Sequence, residues 1–402
     1  MATILITTLS ENTIPCVQLI KEMKDEIDDY FFVTTKEMEF YGSRTWIGDT
    51  LGIDTTHFGV VEAFLWDSVS ETLDKQDFSK YDRIIVNIKC GTKVMFASTY
   101  YYFLMNYPQT EFVYIYEINK IYRWKLTPDR FSDFEEVKFF SKKLSLSEYL
   151  SANGVSIVTS ESIDYPFEMS EKIFKAYCRL ENEQFAGERE IIRQKRNKVL
   201  SGDEFESIKP YLDFLGFIPE EDGKLSKKET KFLSGEWFEQ YVGFKIKQEL
   251  NLPDEDVLIG AEVRKNAYKY SKNDALELVG AVTEMEASDN EMDVMFVYND
   301  EFYSIECKTS IIDANTGKIF LGEAIYKSDS LQYRFGIQPH TAIMTLSDIS
   351  ECAKTDGVFD KNKVRNLNGI INRANISFIK LVDRKIILNT PRLFDTINPS
   401  WR

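Results

Sequence analysis

Short apolar segments alternate with amphipathic segments over the first 120 residues of the chain. The runs at 2–8, 30–35, 82–88 and 111–118 are rich in β-branched and aromatic residues, which favours strands. Helical periodicity at 14–27 and 91–105 predicts two helices between them. This alternation is typical of βαβ units and a mostly parallel sheet, the α/β class. The glycine-containing stretch 36–60 is expected to be an irregular insertion or lid.

The pattern changes after residue 145. Residues 146–224 are charged and mainly helical, which predicts a helical connector, and the polar, turn-rich segment PEEDGKLSKKET at 219–230 marks a domain boundary. Residues 225–402 mix both periodicities and predict an α+β domain. We expect strands at 256–263, 278–284, 292–298, 301–309, 341–346, 376–382 and 385–389, and helices at 232–250, 319–335 and 361–374.

Composition narrows the possible functions. The chain has 402 residues, 43% of them hydrophobic, and a net charge of −16, with acids in excess in both halves. It is therefore not a generally basic nucleic-acid platform, and a polyanion would have to meet a local positive patch or bound metal ions. Only two histidines occur, His57 and His340. Mechanisms and zinc sites that depend on histidine are thus disfavoured, and proton chemistry is left to carboxylates, lysine or metal-bound water.

The cysteines and the apolar runs indicate a cytoplasmic protein. The five cysteines are scattered without a CxxC pair, which is typical of reduced thiols. The first residues lack the basic and apolar regions of a signal peptide. No run approaches the roughly 18 apolar residues of a membrane span, so no membrane partner is expected.

Asp293 and Glu306 interrupt the two apolar strands predicted in the segment NEMDVMFVYNDEFYSIECKTS. Asn299 and Asp300 suit a two-residue hairpin turn, because both residue types tolerate positive φ. In that register Asp293 faces Glu306. Glu291 likewise faces Lys308, and Glu306 and Lys308 share one side of the sheet. The hairpin would gather three acids and one lysine in a small area.

Facing carboxylates destabilise a sheet unless a cation lies between them. Mg²⁺ or Mn²⁺ prefers such oxygens and keeps waters that a phosphate can displace. A bound metal would lower the pKa of water and orient the phosphate, and Lys308 would steady the attacking water or the developing charge. These residues therefore predict metal-dependent phosphodiester hydrolysis. The alternative is a solvent-facing hairpin with ordinary cross-strand charge pairs.

This hairpin resembles a known nuclease signature. Asp293 followed by Glu306-Cys307-Lys308 resembles the PD-(D/E)xK motif of restriction-endonuclease-like nucleases, with Met292 in place of the usual proline. The resemblance implies that Asp293, Glu306 and Lys308 are catalytic, and that a preceding helix supplies a further metal-site acid. Glu236 is the candidate, with Glu291 as a fourth metal acid. The alternative for Glu236 is the solvated face of an amphipathic helix.

Two basic residues follow the predicted catalytic strand. Lys327 and Arg334 could reach substrate phosphates, which would make cleavage sensitive to salt. The alternative is that they are ordinary surface charges.

Two loops of the N-terminal domain are suited to a phosphorylated ligand. The segments LITTLSENTIP and NIKCGTKVM each follow a predicted strand and lead into a helix, where free N–H groups favour anions. Gly91 permits close backbone approach. The alternative is helix capping and a simple turn. The candidate ligand-binding residues are Thr8, Ser10, Glu11, Asn12, Gly91, Thr92 and Lys93.

Both loops resemble the ligand loops of CARF domains, the CRISPR-associated Rossmann-like sensors. The whole chain is similar to the ancillary nucleases of type III CRISPR systems. The resemblance implies a Rossmann-like CARF domain at 1–145, a connector at 146–224 and a restriction-endonuclease-like domain at 225–402. It further implies a homodimer that binds a cyclic oligoadenylate, cyclic tetra-adenylate above all, and then cleaves RNA, DNA or both. An ungated restriction or repair nuclease and a CARF regulator without nuclease activity remain alternatives.

Overall fold

The computed structural model divides the chain into two compact units. The first comprises residues 1–156, 264–289 and 334–338, and the second comprises 157–263, 290–333 and 339–402. The structure describes residues 2–116, 120–127, 130–131, 135–160, 165–265, 290–312, 319–332, 335–336, 339–355 and 357–398. The division into a sensor, a connector and a nuclease domain stays a prediction.

The described strands and helices follow the chain in this order. The strands are β1 Thr3–Thr8, β2 Asp29–Thr34, β3 Phe58–Val60, β4 Arg83–Asn87, β5 Glu111–Tyr116, β6 Lys120–Thr127, β7 Arg130–Phe131, β8 Glu135–Phe139, β9 Val155–Ser160, β10 Leu200–Ser201, β11 Lys224–Leu225, β12 Val257–Lys265, β13 Asn290–Tyr298, β14 Glu301–Lys308, β15 His340–Thr345, β16 Lys354–Thr355, β17 Val358–Phe359 and β18 Ile379–Val382. The α-helices are α1 Ile14–Met23, α2 Lys36–Tyr41, α3 Ser43–Leu51, α4 Trp66–Asp74, α5 Lys93–Asn106, α6 Leu146–Ala152, α7 Phe167–Tyr177, α8 Ala186–Gln194, α9 Asp203–Leu215, α10 Lys227–Lys231, α11 Trp237–Leu250, α12 Leu321–Gln332, α13 Lys361–Ile376 and α14 Arg384–Asn389.

The first sheet has the order β3-β2-β1-β4-β5-β6-β7, with β8 also paired to β6. Strands β3, β2, β1, β4 and β5 run parallel, and the strands beyond β5 pair antiparallel. Every residue of β1 is buried, as expected for a central parallel strand that is covered on both faces. The loops after β1 and β4 therefore lie side by side at the carboxyl edge of the sheet. This confirms the predicted Rossmann-like α/β fold.

The second sheet has the order β18-β15-β14-β13-β12-β9. Strands β12, β13 and β14 are antiparallel neighbours, whereas β14, β15 and β18 run parallel. One face packs on a large core to which α7, α9 and α11 contribute. The other face packs on a smaller core to which α12 and α13 contribute. The sheet thus lies between two helical layers, and β14 occupies its centre.

Two local predictions were wrong. Residues 36–60 form α2, α3 and β3 instead of an irregular lid, because Thr35 caps α2 through Met38 N–H and Gly42 and Gly52 end successive short helices. Residues 385–389 belong to helix α14, not to a strand, because Asp383 caps it by accepting from Ile386 N–H. The strand predicted at 278–284 lies outside the described residues. Among the described helices, none combines the length and hydropathy needed to cross a bilayer.

Candidate functional site

A tight hairpin turn aligns the candidate catalytic strands. Asn299 and Asp300 both have positive φ, at 53° and 63°, as the predicted turn requires. The observed pairs run from Tyr298 opposite Glu301 to Val294 opposite Ile305. Asp293 and Glu306 are the next residue on each strand beyond the last observed pair. Both carboxylates are buried, at 5% and 9% exposure.

Lys308 contacts both Asp293 and Glu306. Its ammonium lies 2.7 Å from Glu306 and 3.4 Å from Asp293. The backbone N–H of Cys307 donates to Asp293 Oδ2 at 2.7 Å, which fixes the orientation of that carboxylate. A buried acid pair without such partners would be costly. The arrangement therefore combines paired acids, an oriented carboxylate and an adjacent ammonium group.

A second lysine reaches the same acid from helix α12. Lys327 Nζ donates to both oxygens of Glu306, at 2.9 and 3.2 Å. Its side chain is 40% exposed, so the ammonium could also meet a phosphate. The predicted substrate-binding residue thus lies at the acid pair. Arg334, the other predicted residue, lies outside the described residues.

Burial and neighbouring charges shift the pKa values of Asp293 and Glu306 in opposite directions. Burial, with the negative charge of Glu306, raises the pKa of Asp293 to about 6. Burial also raises the pKa of Glu306, but Lys308 and Lys327 outweigh it, so this pKa is lower than usual. The pKa of Lys308 is raised because the two acids outweigh its burial. Lys308 therefore stays cationic beside an ionised Glu306 and a carboxyl group of Asp293 that titrates near neutrality.

Helix α11 brings Glu239 into the electrostatic field of Asp293, and the charge of Glu236 also acts on Glu239. Glu236 lies 2.6 Å from Lys231 and 3.8 Å from Arg196, so its charge is balanced by two cations. Glu239 is 8% exposed, and burial followed by the charge of Asp293 raises its pKa well above the usual range. Glu291 is exposed on β13. The proposed metal roles of Glu236 and Glu291 stay predictions.

Sequence reasoning missed Glu239, although a signal was present. The residue follows the fully buried Trp237 and Phe238 and precedes the buried Tyr241 and Val242. An acid inside an apolar helical run is the same signal that singled out Asp293. Applied to α11, it would have selected Glu239.

The donor atoms of this site fit a divalent cation with few protein ligands. Within the part of the chain that the structure describes, no three acidic, histidine or cysteine side chains converge as a complete metal cage. Mg²⁺ and Mn²⁺ commonly bind one or two carboxylates and complete their coordination with water and phosphate. Asp293 and Glu306 supply such a pair, and the Lys308 ammonium between them marks where positive charge is stabilised.

The loop after β1, the first of the two candidate ligand loops, combines buried and accessible polar groups. Thr8 is buried, and its hydroxyl donates to the carbonyl oxygen of Cys90 in the second loop. Ser10 donates to the Asn12 carbonyl at 3.1 Å, and the Asn12 side chain accepts from Ile14 N–H at 3.3 Å. Glu11 is exposed. Thr8 therefore links the two loops, while residues 10–12 form the accessible surface.

The loop after β4, the second candidate ligand loop, requires a glycine and leads into helix α5. Gly91 has a φ of +81°, and a Cβ atom there would lie 2.8 Å from Thr8 Oγ1. Thr92 caps α5 by accepting from Met95 N–H at 3.2 Å, and its hydroxyl donates to the Ala63 carbonyl at 2.5 Å. Lys93 is exposed at the first turn of α5. The helix N-terminus and Lys93 together favour an anionic ligand.

Comparison with known proteins identifies the domain at the N-terminus. Residues 4–149 match the family model described as the Card1 CARF domain. The N-terminus of the chain is therefore a CARF domain of the Card1 type, as the two loops predicted. A search of curated protein sequences gives no significant match.

Solved structures share the fold of the whole chain. Can2 from Sulfobacillus thermosulfidooxidans, in complex with cyclic tetra-adenylate, is 18% identical with a TM-score of 0.67, covering 98% of this chain and 99% of that chain. Protein VC1899 from Vibrio cholerae is 14% identical with a TM-score of 0.66, covering 95% and 94%. A type III CRISPR defence DNA nuclease activated by cyclic oligoadenylate is 14% identical with a TM-score of 0.50. It is matched over 99% of this chain and 53% of its own length.

Replacing Asp293 with asparagine should have opposite effects on stability and on strand cleavage. A carboxyl group whose pKa rises from 3.8 to about 6 on folding costs stability once it ionises. Relative to the parent protein, the variant should gain stability as pH rises from 3.8 to about 6, and should lose strand cleavage. Chemical denaturation across this pH range measures the difference. A constant stability difference at all pH values would contradict the assigned pKa.

Glu239 and Glu236 should differ when each is changed to glutamine. Glu239→Gln should weaken Mn²⁺ binding roughly tenfold or more, as expected for a group that supports the metal ligands. Glu236→Gln should lower the unfolding midpoint instead, because it weakens the contacts with Lys231 and Arg196. Calorimetric Mn²⁺ titration and thermal unfolding separate the two effects. The reverse ranking in Mn²⁺ affinity would restore Glu236 as the metal acid.

Proposed function

We propose that this protein is a divalent-metal-dependent nuclease activated by a cyclic oligoadenylate, acting in type III CRISPR antiviral defence. The observation that carries the proposal is the contact of the Lys308 ammonium with both buried acids of the hairpin, Asp293 and Glu306. Asp293 and Glu306 would hold Mn²⁺ or Mg²⁺, which when bound activates water and stabilises charge on a phosphate. RNA, DNA or both are the proposed substrates.

The chain's own residues would perform the remaining chemistry. The N–H of Cys307 keeps the Asp293 carboxylate oriented. Lys308, held cationic by its two acids, would steady the attacking water or the negative charge that develops on the scissile phosphate. Lys327, partly exposed beside Glu306, would contact a substrate phosphate. No histidine is needed for these roles.

Cyclic tetra-adenylate is the proposed activator. Support comes from the Card1 CARF match over residues 4–149 and from the shared fold of Can2, whose structure contains this ligand. Ser10, Glu11, Asn12 and Lys93 would contact it at the edge of the first sheet. Its differential affinity for the active arrangement would shift the population toward that arrangement.

A homodimer would complete the sensor. A two-fold-symmetric ligand is matched by two copies that contribute the same contacts. Apolar side chains are exposed beside the second loop, and the Trp66 and Tyr101 rings lie 5.7 Å apart there. A large exposed apolar patch is typical of an interaction surface. Its members are Phe64, Leu65, Trp66, Tyr101 and Met105.

Cleavage assays with and without the activator test the proposal. The protein is incubated with labelled single-stranded RNA, single-stranded DNA and supercoiled plasmid, with Mn²⁺ or with a chelator, and with or without cyclic tetra-adenylate. Cleavage should require both Mn²⁺ and the ring. Cleavage with metal alone would favour an ungated restriction or repair nuclease. Ring binding without cleavage of any substrate would favour a CARF regulator.

A further inference from the structure

Helix α13 is unusually basic for this chain. Its 16 residues include Lys361, Lys363, Arg365 and Arg373, five asparagines and no acid, in a chain with a net charge of −16. Its buried side, formed by Leu367, Ile370 and Ala374, anchors the helix in the core. Lys363 is partly buried and donates to the Lys354 carbonyl, so Lys361, Arg365 and Arg373 supply the exposed positive charge of the helix.

The exposed side of α13 forms an open groove of about 500 Å³. Neither Lys361 nor Arg365 forms an ion pair with any residue that the structure describes. The nearest acid in sequence, Asp360, accepts the N–H groups of Asn362 and Lys363 at the helix start. The two cations are thus available to an external anion. The groove is lined by Phe359, Lys361, Val364, Arg365, Asn368, Gly369 and Asn372.

Contacts connect this groove to the acid pair. The guanidinium of Arg373 lies 4.3 Å from the ring centroid of Tyr326 on α12. Tyr326 is 56% exposed and precedes Lys327, which contacts Glu306. At the other end of the groove, Phe359 is 60% exposed. Lys354 lies over the Phe359 ring, 5.0 Å from its centroid, as Arg373 lies over the Tyr326 ring. Cations, amides and exposed aromatic rings therefore follow one another from α12 along α13.

We infer that the surface comprising Tyr326, Phe359 and the exposed side of α13 binds a single-stranded nucleic acid and guides it toward Glu306. Lys361 and Arg365 meet backbone phosphates, and the side chains of Asn368 and Asn372 donate hydrogen bonds to phosphate or sugar oxygens. Tyr326 and Phe359 offer faces for base stacking, which only an unpaired strand can use fully. The inference rests on the proposed nuclease function and adds where the substrate strand lies.

Binding measurements with charge-matched variants test this surface. Lys361→Ala/Arg365→Ala is compared with Lys175→Ala/Lys209→Ala, which removes the same charge from exposed positions on α7 and α9. Both pairs are combined with Glu306→Gln to prevent cleavage. Anisotropy of labelled oligothymidine and oligouridine should show about a tenfold higher Kd for the α13 variant only. The slope of log K against log salt should fall by roughly 0.7 for each lost phosphate contact.

A second pair of variants tests the aromatic faces. Tyr326→Ala/Phe359→Ala should weaken single-strand binding about tenfold and leave duplex binding unchanged. Equal losses for the α13 pair and the control pair would overturn the inference, as would a greater loss for duplex than for single strands. Should the parent protein cleave nothing and the α13 variant still lose binding, the surface would stand and the nuclease proposal would fail.

Discussion

Replacing Glu306 with glutamine is expected to lower strand cleavage by about 10²–10³-fold, the loss seen when one preorganised charge-stabilising group is removed. The ammonium groups of Lys308 and Lys327 both form ion pairs with the Glu306 carboxylate, at 2.7 and 2.9 Å. Glutamine keeps the shape of the side chain but removes the charge that positions two ammonium groups and could ligate a metal. Cleavage rates at saturating cyclic tetra-adenylate and Mn²⁺ measure the loss.

Glu168→Gln is the matched control for this change. Glu168 is an exposed acid on α7. It should leave cleavage within about twofold of the parent rate, since surface changes away from a site usually have small effects. Glu306→Gln should also leave binding of cyclic tetra-adenylate unchanged. Retention of full cleavage in Glu306→Gln would refute the assignment of the hairpin as the active site.

Replacing Gly91 with alanine is expected to weaken binding of cyclic tetra-adenylate by tenfold or more. At φ +81° an L side chain is strained by about 1–2 kcal/mol. The new Cβ would also lie 2.8 Å from Thr8 Cβ and Oγ1, so the second loop must move away from the first. Since Thr8 links the loops through the Cys90 carbonyl, this movement would separate them. Calorimetric titration with the ring measures the change.

Gly52 provides a control for backbone strain alone. It has a φ of +60° at the end of α3, and an added Cβ would meet no atom within 4 Å. Gly52→Ala should lower stability slightly and leave ring affinity unchanged. If both variants weakened the ring equally, the loss would reflect strain in the domain, and the Gly91–Thr8 contact would have no specific role.

The hairpin could be derived from sequence because its rules are local. Asn299 and Asp300 fix the turn, the two-residue period of a strand fixes which side chains share a face, and the register follows from both. That Asp293 and Glu306 lie close enough to share contacts with Lys308 was therefore predictable without knowledge of the rest of the fold. The order of strands in the first sheet was similarly constrained by the βαβ pattern.

Glu239 and Lys327 depend on packing that sequence does not reveal. Residues 232–236 form a π-helical turn with Gly235 at φ 169° before α11 begins, so the side of the helix that faces the sheet cannot be counted back from a regular period. Lys327 reaches Glu306 only because α12 packs on the face of the sheet that carries it. Helix α14 was mistaken for a strand because Ile386, Ile387 and Leu388 form a short contiguous apolar run, and its capping residue, Asp383, lies just before it.

The charges around Asp293 and Glu306 also determine how the second unit responds to a chelator. Two ammonium groups, Lys308 and Lys327, already offset the two carboxylates of Asp293 and Glu306, and Glu239 has a pKa raised toward its neutral form. The charges at the centre of the second sheet therefore largely offset one another within the protein. We expect the protein to remain folded in a chelator, so that metal binding and folding would be separate events.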